Sequence, residues 1–546
     1  MNNTSYTYRM LLTDDLTLAF SGNVLFEHVN AKFLPGNCYG LIGANGAGKS
    51  SFLKILSSDL DASNGKVIYD SGLRISVLKQ DQFAYDSFQV IDTVIMGHKA
   101  LYKVYAERKA IYDKDEMTEE DGIRVGDLED QFADMDGYTL EAEAEKMLSE
   151  LGLPESLHEK TMEELESGQK IRVLLAQAIF GDPDILLLDE PTNQLDYQSV
   201  LWLENFLLEF QKLAIVISHD RHFLNKVCTH IANLDYKKLE IYVGNYSFWE
   251  QSSQLAIKQK KEDFKQKEDK VKELEEFVRR FSANASKSKQ ATSRKKLIEK
   301  LRPDAIPETS RRYPYINFSV ERPCGGKILV VNDVSYSVNG VSLLKNVSFT
   351  LDHKDKVAIL GDNSLSKTAL LDVLAGKVSP DTGTIDWGDT IAYDYFPKDH
   401  ASFFTKNVEL LEWLAQYANT VDNQELRGLL GRMLFSGDDV FKKIGVLSGG
   451  EKARAMFSKL MLSKSNALLF DEPTDHLDLE SISSLNKAFK SYPEIMMIVS
   501  NDFELLNTVC NRVIEVSPAG MIDQKTSFDD YMMSDSIQKK RELIKG

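Results

Sequence analysis

The segment GANGAGKS at Gly43 to Ser50 returns as GDNSLSKT at Gly361 to Thr368, 318 residues further on. LLLDEPTNQLD, ending at Asp196, returns as LLFDEPTDHLD ending at Asp478, and ISHD at Ile217 to Asp220 returns as VSND at Val499 to Asp502, both after 282 residues. A chain with this internal repeat folds as two copies of one unit, each with its own core, and 546 residues are enough for both. The difference between 318 and 282 leaves 36 extra residues in the first copy, between its glycine-rich segment and its DEP motif. The charged stretch from about 97 to 160 is the expected place for them.

Each copy alternates short apolar runs with amphipathic segments of helical period, which implies a largely parallel sheet flanked by helices, an α/β fold. Between the copies, from Asn245 through Arg302, there is no Gly or Pro, and Lys, Glu and Gln dominate. Leu274, Phe277, Val278 and Phe281 supply only a thin apolar seam. This composition predicts long helix, interrupted by the small polar run Ser282 to Ser286 into two antiparallel helices with a tip, and ended by Pro303 and Pro307. The bland alternative is a solvated spacer.

The first glycine-rich segment has the context a phosphate-binding loop requires. Cys38 to Ile42 read as a buried strand, the glycines follow at once, and Phe52, Leu53, Ile55 and Leu56 show helical spacing. Gly43, Gly46 and Gly48 let backbone N–H groups curl around phosphate oxygens, and the helix N-terminus adds a favourable dipole. Gly43, Ala44, Asn45, Gly46, Ala47, Gly48, Lys49, Ser50 and Ser51 are therefore the expected ATP-binding set. Lys49 would pair with the β- and γ-phosphates and Ser50 would ligate Mg²⁺. A plain glycine turn before a helix is the competing reading.

Ile185 to Leu188 read as a strand buried on both faces that delivers Asp189 and Glu190 at its carboxyl end, the edge where such sheets bind ligands. Asp189 is placed to hold Mg²⁺ and Glu190 to orient or deprotonate the attacking water. A DE pair after a strand is common by itself. Its return with the following Pro-Thr, at Asp471 to Thr474, is what gives it weight.

With both copies carrying these motifs, the chain resembles the ATP-binding cassette superfamily nearly end to end. In that family two cassettes face head to tail, and an LSGGQ-like signature of one closes on the ATP of the other. The second copy carries LSGGE at Leu447 to Glu451, so the resemblance implies that Ser448, Gly449 and Gly450 reach the ATP held by Lys49. It also implies that Gln80 links Mg²⁺ to the flanking subdomain and that His219 is the switch histidine at the γ-phosphate. Phe20 sits where the family stacks an aromatic ring on adenine; a core strand residue is the other reading.

The second site departs from that pattern. Gly46 and Gly48 become Ser364 and Ser366, His219 becomes Asn501, Gln80 becomes Lys398 and Phe20 becomes Val338. The signature that would complete it is LESGQ at Leu165 to Gln169, with Glu166 in place of serine. Gly361, Asn363, Lys367 and Thr368 as ATP contacts, Asp471 as a metal ligand and Glu472 as catalytic carboxylate remain. These losses belong to one interface, as expected of a site that binds nucleotide weakly or hydrolyses it poorly.

Two fused cassettes with a charged helical linker resemble the ABC-F proteins, closest to the YbiT-like bacterial group, through VGNYSFW at Val243 to Trp249 and RRFSANASKSKQATSRKK at Arg279 to Lys296. The resemblance implies an ATPase whose linker approaches peptidyl-tRNA near the tRNA exit site of the ribosome and whose first-cassette arm contacts it. It implies tandem cassettes at 1–250 and 319–546, an arm at about 97–160 and a helical-hairpin linker at 251–318. It also implies a monomer that pairs its own cassettes.

Charge supports the linker reading independently. Residues 279–302 hold nine Lys or Arg against the single acid Glu299, a local +8 in a chain of −18. Dense positive charge on a projecting hairpin suits phosphate-backbone contact, which makes Arg279, Arg280, Lys287, Lys289, Arg294, Lys295 and Lys296 the expected contacts to rRNA or tRNA. A basic solvated helix face is the alternative. Phe281 is expected to bridge the two linker helices, or else to stack on a base. The arm is acidic, at Asp113, Asp115, Glu116, Glu119, Glu120 and Asp121, so a basic ribosomal protein suits it better than RNA.

No stretch approaches the roughly 18 to 20 apolar residues of a membrane span, and the N-terminus lacks the pattern of a secretory leader, so a cytoplasmic protein without membrane contact is expected. The four cysteines stand far apart and are expected to be reduced and structural. The energy module of a membrane transporter is the runner-up reading. A DNA-repair ATPase is the third, without the CxxC insertions or very long coiled coils that it would carry.

Overall fold

A computed structural model describes residues 10–544 apart from 21, 80, 115–116, 194, 282–292, 294–295, 300–310, 362, 419–421 and 476. The chain divides into two compact units, one of residues 1–218 and 223–310, the other of residues 219–222 and 311–546.

In the first unit the strands are β1 (Leu11–Phe20), β2 (Asn23–Phe33), β3 (Cys38–Gly43), β4 (Asn64–Ile68), β5 (Ile75–Val77), β6 (Ile185–Asp189), β7 (Leu213–Ile217), β8 (His230–Asp235) and β9 (Lys238–Val243). β2, β1 and β4 form an antiparallel sheet, and the other six run in the order β5-β6-β7-β3-β8-β9, parallel except for the last pair. β3, central in that order, is buried along its whole length, as a strand covered by helices on both faces must be. The order brings the carboxyl ends of β3, β6 and β7 side by side, so the GANGAGKS, DE and SHD segments leave the sheet at one edge.

The second unit repeats this arrangement with β10 (Leu329–Val338), β11 (Val341–Leu351), β12 (Lys356–Leu360), β13 (Thr382–Trp387), β14 (Tyr393–Phe396), β15 (Ala467–Asp471), β16 (Ile495–Val499), β17 (Arg512–Ser517) and β18 (Gly520–Gln524). Its sheets run β11-β10-β13 and β14-β15-β16-β12-β17-β18, the same two orders strand for strand. The repeat read from motifs is thus a repeat of topology.

The helix Lys49–Leu56 is fixed in the first core by Phe52, which meets Phe26 of β2 edge-on with ring centroids 5.6 Å apart. Phe52, Leu53, Ile55 and Leu56 are all buried, so the helix that starts at the glycine loop cannot swing without emptying the core. Removing a buried Phe of this kind costs about 3–5 kcal/mol.

Between equivalent elements, the first unit has two helices that the second lacks. Lys99–Tyr112 and Glu119–Asp134 stand between Val90–Ile95 and Leu140–Glu150, where the second unit passes from Leu410–Ala415 to Asn423–Arg432. The pair is tied by Arg124, which donates to both Glu107 oxygens at 2.7 and 2.9 Å, and by Arg108 on Glu129 at 2.9 Å. Part of the acidic run is used internally. Asp121 caps its own helix with Thr118 and pairs with Lys114 at 2.6 Å, which holds its carboxyl down at about 2. Asp115 and Glu116 lie outside the described residues.

The Gly- and Pro-free segment forms one helix over Tyr246–Phe281, and Ser293 and residues 296–299 are also helical. The expected tip at 282–286 and the terminating Pro303 and Pro307 lie outside the described residues. Cys38 and Cys228, distant in sequence, have interacting thiols in the first core, and all four cysteines are free. No helix among the described residues is long and apolar enough to cross a membrane.

Candidate functional site

The first glycine loop turns sharply between β3 and its helix because two residues take left-handed backbone, Gly46 at φ 80° and Gly48 at φ 97°. A side chain at Gly48 would be strained there and would press on Leu25 at 3.3 Å. The helix therefore begins only at Lys49, and its first internal bond is Phe52 N–H to the Gly48 carbonyl at 2.8 Å. The N–H groups of Gly48, Lys49 and Ser50 belong to that open first turn, where helix donors have no partner in their own helix. The Lys49 ammonium lies back over the loop and donates to the carbonyls of Gly43 at 2.8 Å and Ala44 at 3.3 Å. Ala44, Asn45, Ala47 and Ser51 complete the expected set as loop and first-turn residues.

Asp189, at the end of β6, is near enough to the Ser50 hydroxyl and the Lys49 ammonium to be influenced by both. Burial raises its carboxyl above the ordinary value, and Ser50 and Lys49 pull against that. A hydroxyl and a carboxylate side by side at a phosphate loop are hard oxygen donors of the kind Mg²⁺ takes. Among the described residues no three His, Cys, Asp or Glu side chains converge into a metal cluster, so a cation here would complete its shell from nucleotide and water. Gln80, the other expected ligand, lies outside the described residues.

Glu190 follows with a backbone that amino acids other than glycine seldom adopt, φ 52°, held by its N–H on the Ile217 carbonyl at 2.9 Å. Glu472 repeats this at φ 47°, bonded to Val499 at 2.8 Å. Left-handed backbone at a non-glycine residue costs about 1–3 kcal/mol and collects at functional positions. These two, among the non-glycine residues with such backbone, are the carboxylates expected to carry the chemistry. His219 lies two residues past the end of β7 and is half-buried.

Phe20 ends β1 opposite Asn23 and is 49% exposed, which removes the core-strand alternative. Val338 ends β10 in the same way, 40% exposed. Ser448 is the exposed N-cap of the helix Gly449–Ser463 and exchanges a capping box with Glu451, whose carboxylate accepts from the Ser448 N–H at 2.7 Å. Gly449 and Gly450 form its first turn. Glu166 caps the helix Ser167–Ile179 with Gln169 in the same box, so the departure from serine keeps the helix start and changes the group presented there.

The second loop is built differently. Its helix starts at Ser364, three residues before Lys367, whereas the first starts at Lys49 itself. Asn363 caps it, its Oδ1 accepting from Leu365 N–H at 2.8 Å and its carbonyl accepting from Ser366 N–H at 3.2 Å and Lys367 N–H at 3.4 Å. Ser366, in the place of Gly48, is fully buried. Thr368 still donates to Asp471 at 2.8 Å, and the other Asp471 oxygen is buried without a hydrogen-bond partner. Lys398, which stands in the sequence position of Gln80, follows Tyr395 by three residues, and Tyr395 pairs with Leu469 next to the strand end that carries Asp471. The Lys398 ammonium donates to Ser364 Oγ at 3.3 Å, and its charge acts on Asp471 and Glu472. Glu472 is buried, accepts from Asn501 N–H at 3.0 Å, and burial pushes its carboxyl up to about 7. Gly361 closes β12 against the Val516 carbonyl.

Of the expected nucleic-acid contacts, Arg279 is exposed near the end of the long helix and Lys296 is exposed in the helical residues 296–299. The Arg280 side chain and Lys287, Lys289, Arg294 and Lys295 lie outside the described residues.

Sequence comparison matches two stretches, 26–193 and 344–475, to the family model described as ABC transporter, and a companion ABC transporter model to residues 232–318. The chain is 52% identical to the uncharacterized ABC transporter ATP-binding protein YkpA of Bacillus subtilis, over 97% of this chain and 99% of that one. It is 45% identical to the probable ATP-binding protein YbiT of Escherichia coli O157:H7, over 97% and 100%. Among solved structures it matches an archaeal ribosome recycling factor, crystallised with a ribosomal stalk protein, at a TM-score of 0.58 and 16% identity, covering 97% of this chain and 98% of that one. That likeness is one of fold.

Proposed function

The chain belongs to the ATP-binding cassette family, in the ABC-F branch with the YbiT-like proteins, and from this we propose that it is a ribosome-associated ATPase acting through its first cassette. The observation that carries the ATPase reading is the convergence of Lys49, Ser50, Asp189 and Glu190 at one sheet edge, with Glu190 held in strained backbone. Ser50 and Asp189 would hold Mg²⁺, which supplies charge neutralisation at the phosphates when bound. Lys49 and the loop N–H groups orient the phosphates. Glu190 accepts the proton of the attacking water as its oxygen bonds to the γ-phosphorus, and the bond to the bridging oxygen of ADP breaks.

For the partner, the support is the local +8 of residues 279–302 in an otherwise acidic chain, with Arg279 and Lys296 exposed. In this reading the linker approaches rRNA and peptidyl-tRNA near the tRNA exit site, the ATP-bound closed form stays on the ribosome, and hydrolysis releases it. The test is fractionation of cells expressing Glu190→Gln protein. Enrichment with ribosomes is the expected result. Enrichment with membranes would favour a transporter energy module, and a protein found with neither would leave the ribosome reading without support.

A further inference from the structure

The second cassette has the parts list of a nucleotide site with its phosphate position already satisfied from within. In the first loop, glycines at φ 80° and φ 97° hold the helix off until Lys49. Serine disfavours such backbone, so Ser364 and Ser366 let the second loop wind into three more residues of helix. The winding consumes donors. The N–H groups of Leu365, Ser366 and Lys367 all end on Asn363, and the last two are the counterparts of Gly48 and Lys49. A phosphate arriving there would have to break the Asn363 cap and to unwind the turn.

The cation that a phosphate site draws from Mg²⁺ is also provided by the chain. Lys398 occupies the glutamine position, hydrogen-bonds Ser364 at the mouth of the loop and acts electrostatically on Asp471 and Glu472, as Lys367 does. An ammonium group cannot ligate Mg²⁺, and it repels one. The residue in the place of the expected switch histidine is Asn501, whose backbone N–H donates to Glu472. The loop amides, Ser364 and Glu472 thus have partners from within the chain, while one Asp471 oxygen stays buried without a hydrogen-bond partner.

We propose that the second cassette is a self-occupied site that holds no nucleotide, its wound loop and Lys398 standing where phosphate and metal would be, so that the chain binds one nucleotide. This rests on the reading that the first site binds ATP.

The test is binding stoichiometry of the full chain with a fluorescent ATP analogue and Mg²⁺, on a background of Glu190→Gln to prevent turnover. One nucleotide per chain is expected, and none after Lys49→Ala. Two per chain, or one surviving Lys49→Ala, overturns the proposal. No binding by the parent overturns the first-site reading instead. The triple change Ser364→Gly, Ser366→Gly and Lys398→Gln restores the loop and ligand pattern of the first site, with Thr368 and Asp471 already in place. It should raise the stoichiometry to two. A folded triple variant that stays at one shows that these residues are not what closes the site. Melting temperature and circular dichroism establish folding, and if the variant fails them the parental stoichiometry still decides.

Discussion

Replacing Glu472 by Gln should stabilise the protein increasingly as the pH rises from 4.5 toward 7, and not below that window. Glu472 is 3% exposed, and burial, with Asp475 beside it, carries its carboxyl from 4.5 to about 7 against the opposing charges of Lys367 and Lys398. Below pH 4.5 folded and unfolded chains both keep the proton and the residue costs nothing. As the pH rises through 4.5 toward 7 the unfolded chain releases its proton while the folded one holds it, so stability falls over that window and levels off above it. At 1.36 kcal/mol for each pH unit between the two values, the full loss is about 3 kcal/mol. Gln has no proton to lose, and its carbonyl oxygen can still accept from Asn501 N–H.

The variant should therefore match the parent near pH 4.5 and exceed it by about 3 kcal/mol at pH 8. For a unit of this size that is roughly 6–12 °C in melting temperature. The assay is calorimetry of parent and variant at both pH values, without nucleotide and with EDTA, following the transition of residues 311–546. Equal melting temperatures at pH 8, or a gap of the same size at both pH values, would refute the argument that Glu472 is buried as a neutral acid.

Three further outcomes are expected. Glu190→Gln should lower steady-state ATP turnover by about 10²-fold or more and Glu472→Gln much less, so equal losses would count against the asymmetry of the two sites. Exchanging three or four of Arg279, Arg280, Lys287, Lys289, Arg294, Lys295 and Lys296 for Gln should weaken ribosome co-sedimentation and flatten its salt dependence by about one log-log unit per lost phosphate contact at most, while stability stays within about 0.5 kcal/mol. Arg512→Met should cost about 3–5 kcal/mol in denaturant unfolding. That guanidinium is buried on Asp355 at 2.6 Å and on both Asp523 oxygens at 2.8 and 2.6 Å, and its loss strands the buried Asp355.

Much of this fold was legible because it repeats. Cys38 to Ile42 and Ile185 to Leu188 are strands buried on both faces, and nothing but a covered parallel sheet tolerates such runs beside glycine and DE motifs. Long-range partners were not legible. Cys38 and Cys228 meet through the β3–β8 pairing, and Arg512 finds Asp355 across 157 residues. Local pattern carries no trace of either. Phe20 was ambiguous because an aromatic at a strand end suits a core or a ligand equally well, and only its exposure separates the two.

The glutamates show where sequence reading ends at the site itself. Chemistry identifies Glu190 and Glu472 as the carboxylates after a buried strand, but both copies read DEP and nothing in that string says that the glutamate takes left-handed backbone. The strain is shared by both sites and so cannot explain why they differ. The difference lies upstream, in the loops. Substituting Ser for Gly46 and Gly48 reads in sequence as the loss of two flexible residues, yet the physical consequence is a gain, since the freed backbone coils and Asn363 captures its amides. Lys398 likewise reads as a lost ligand and acts as a supplied charge. A site can thus depart from its family pattern by acquiring internal partners, and such partners, unlike gaps, resist the return of the ligand.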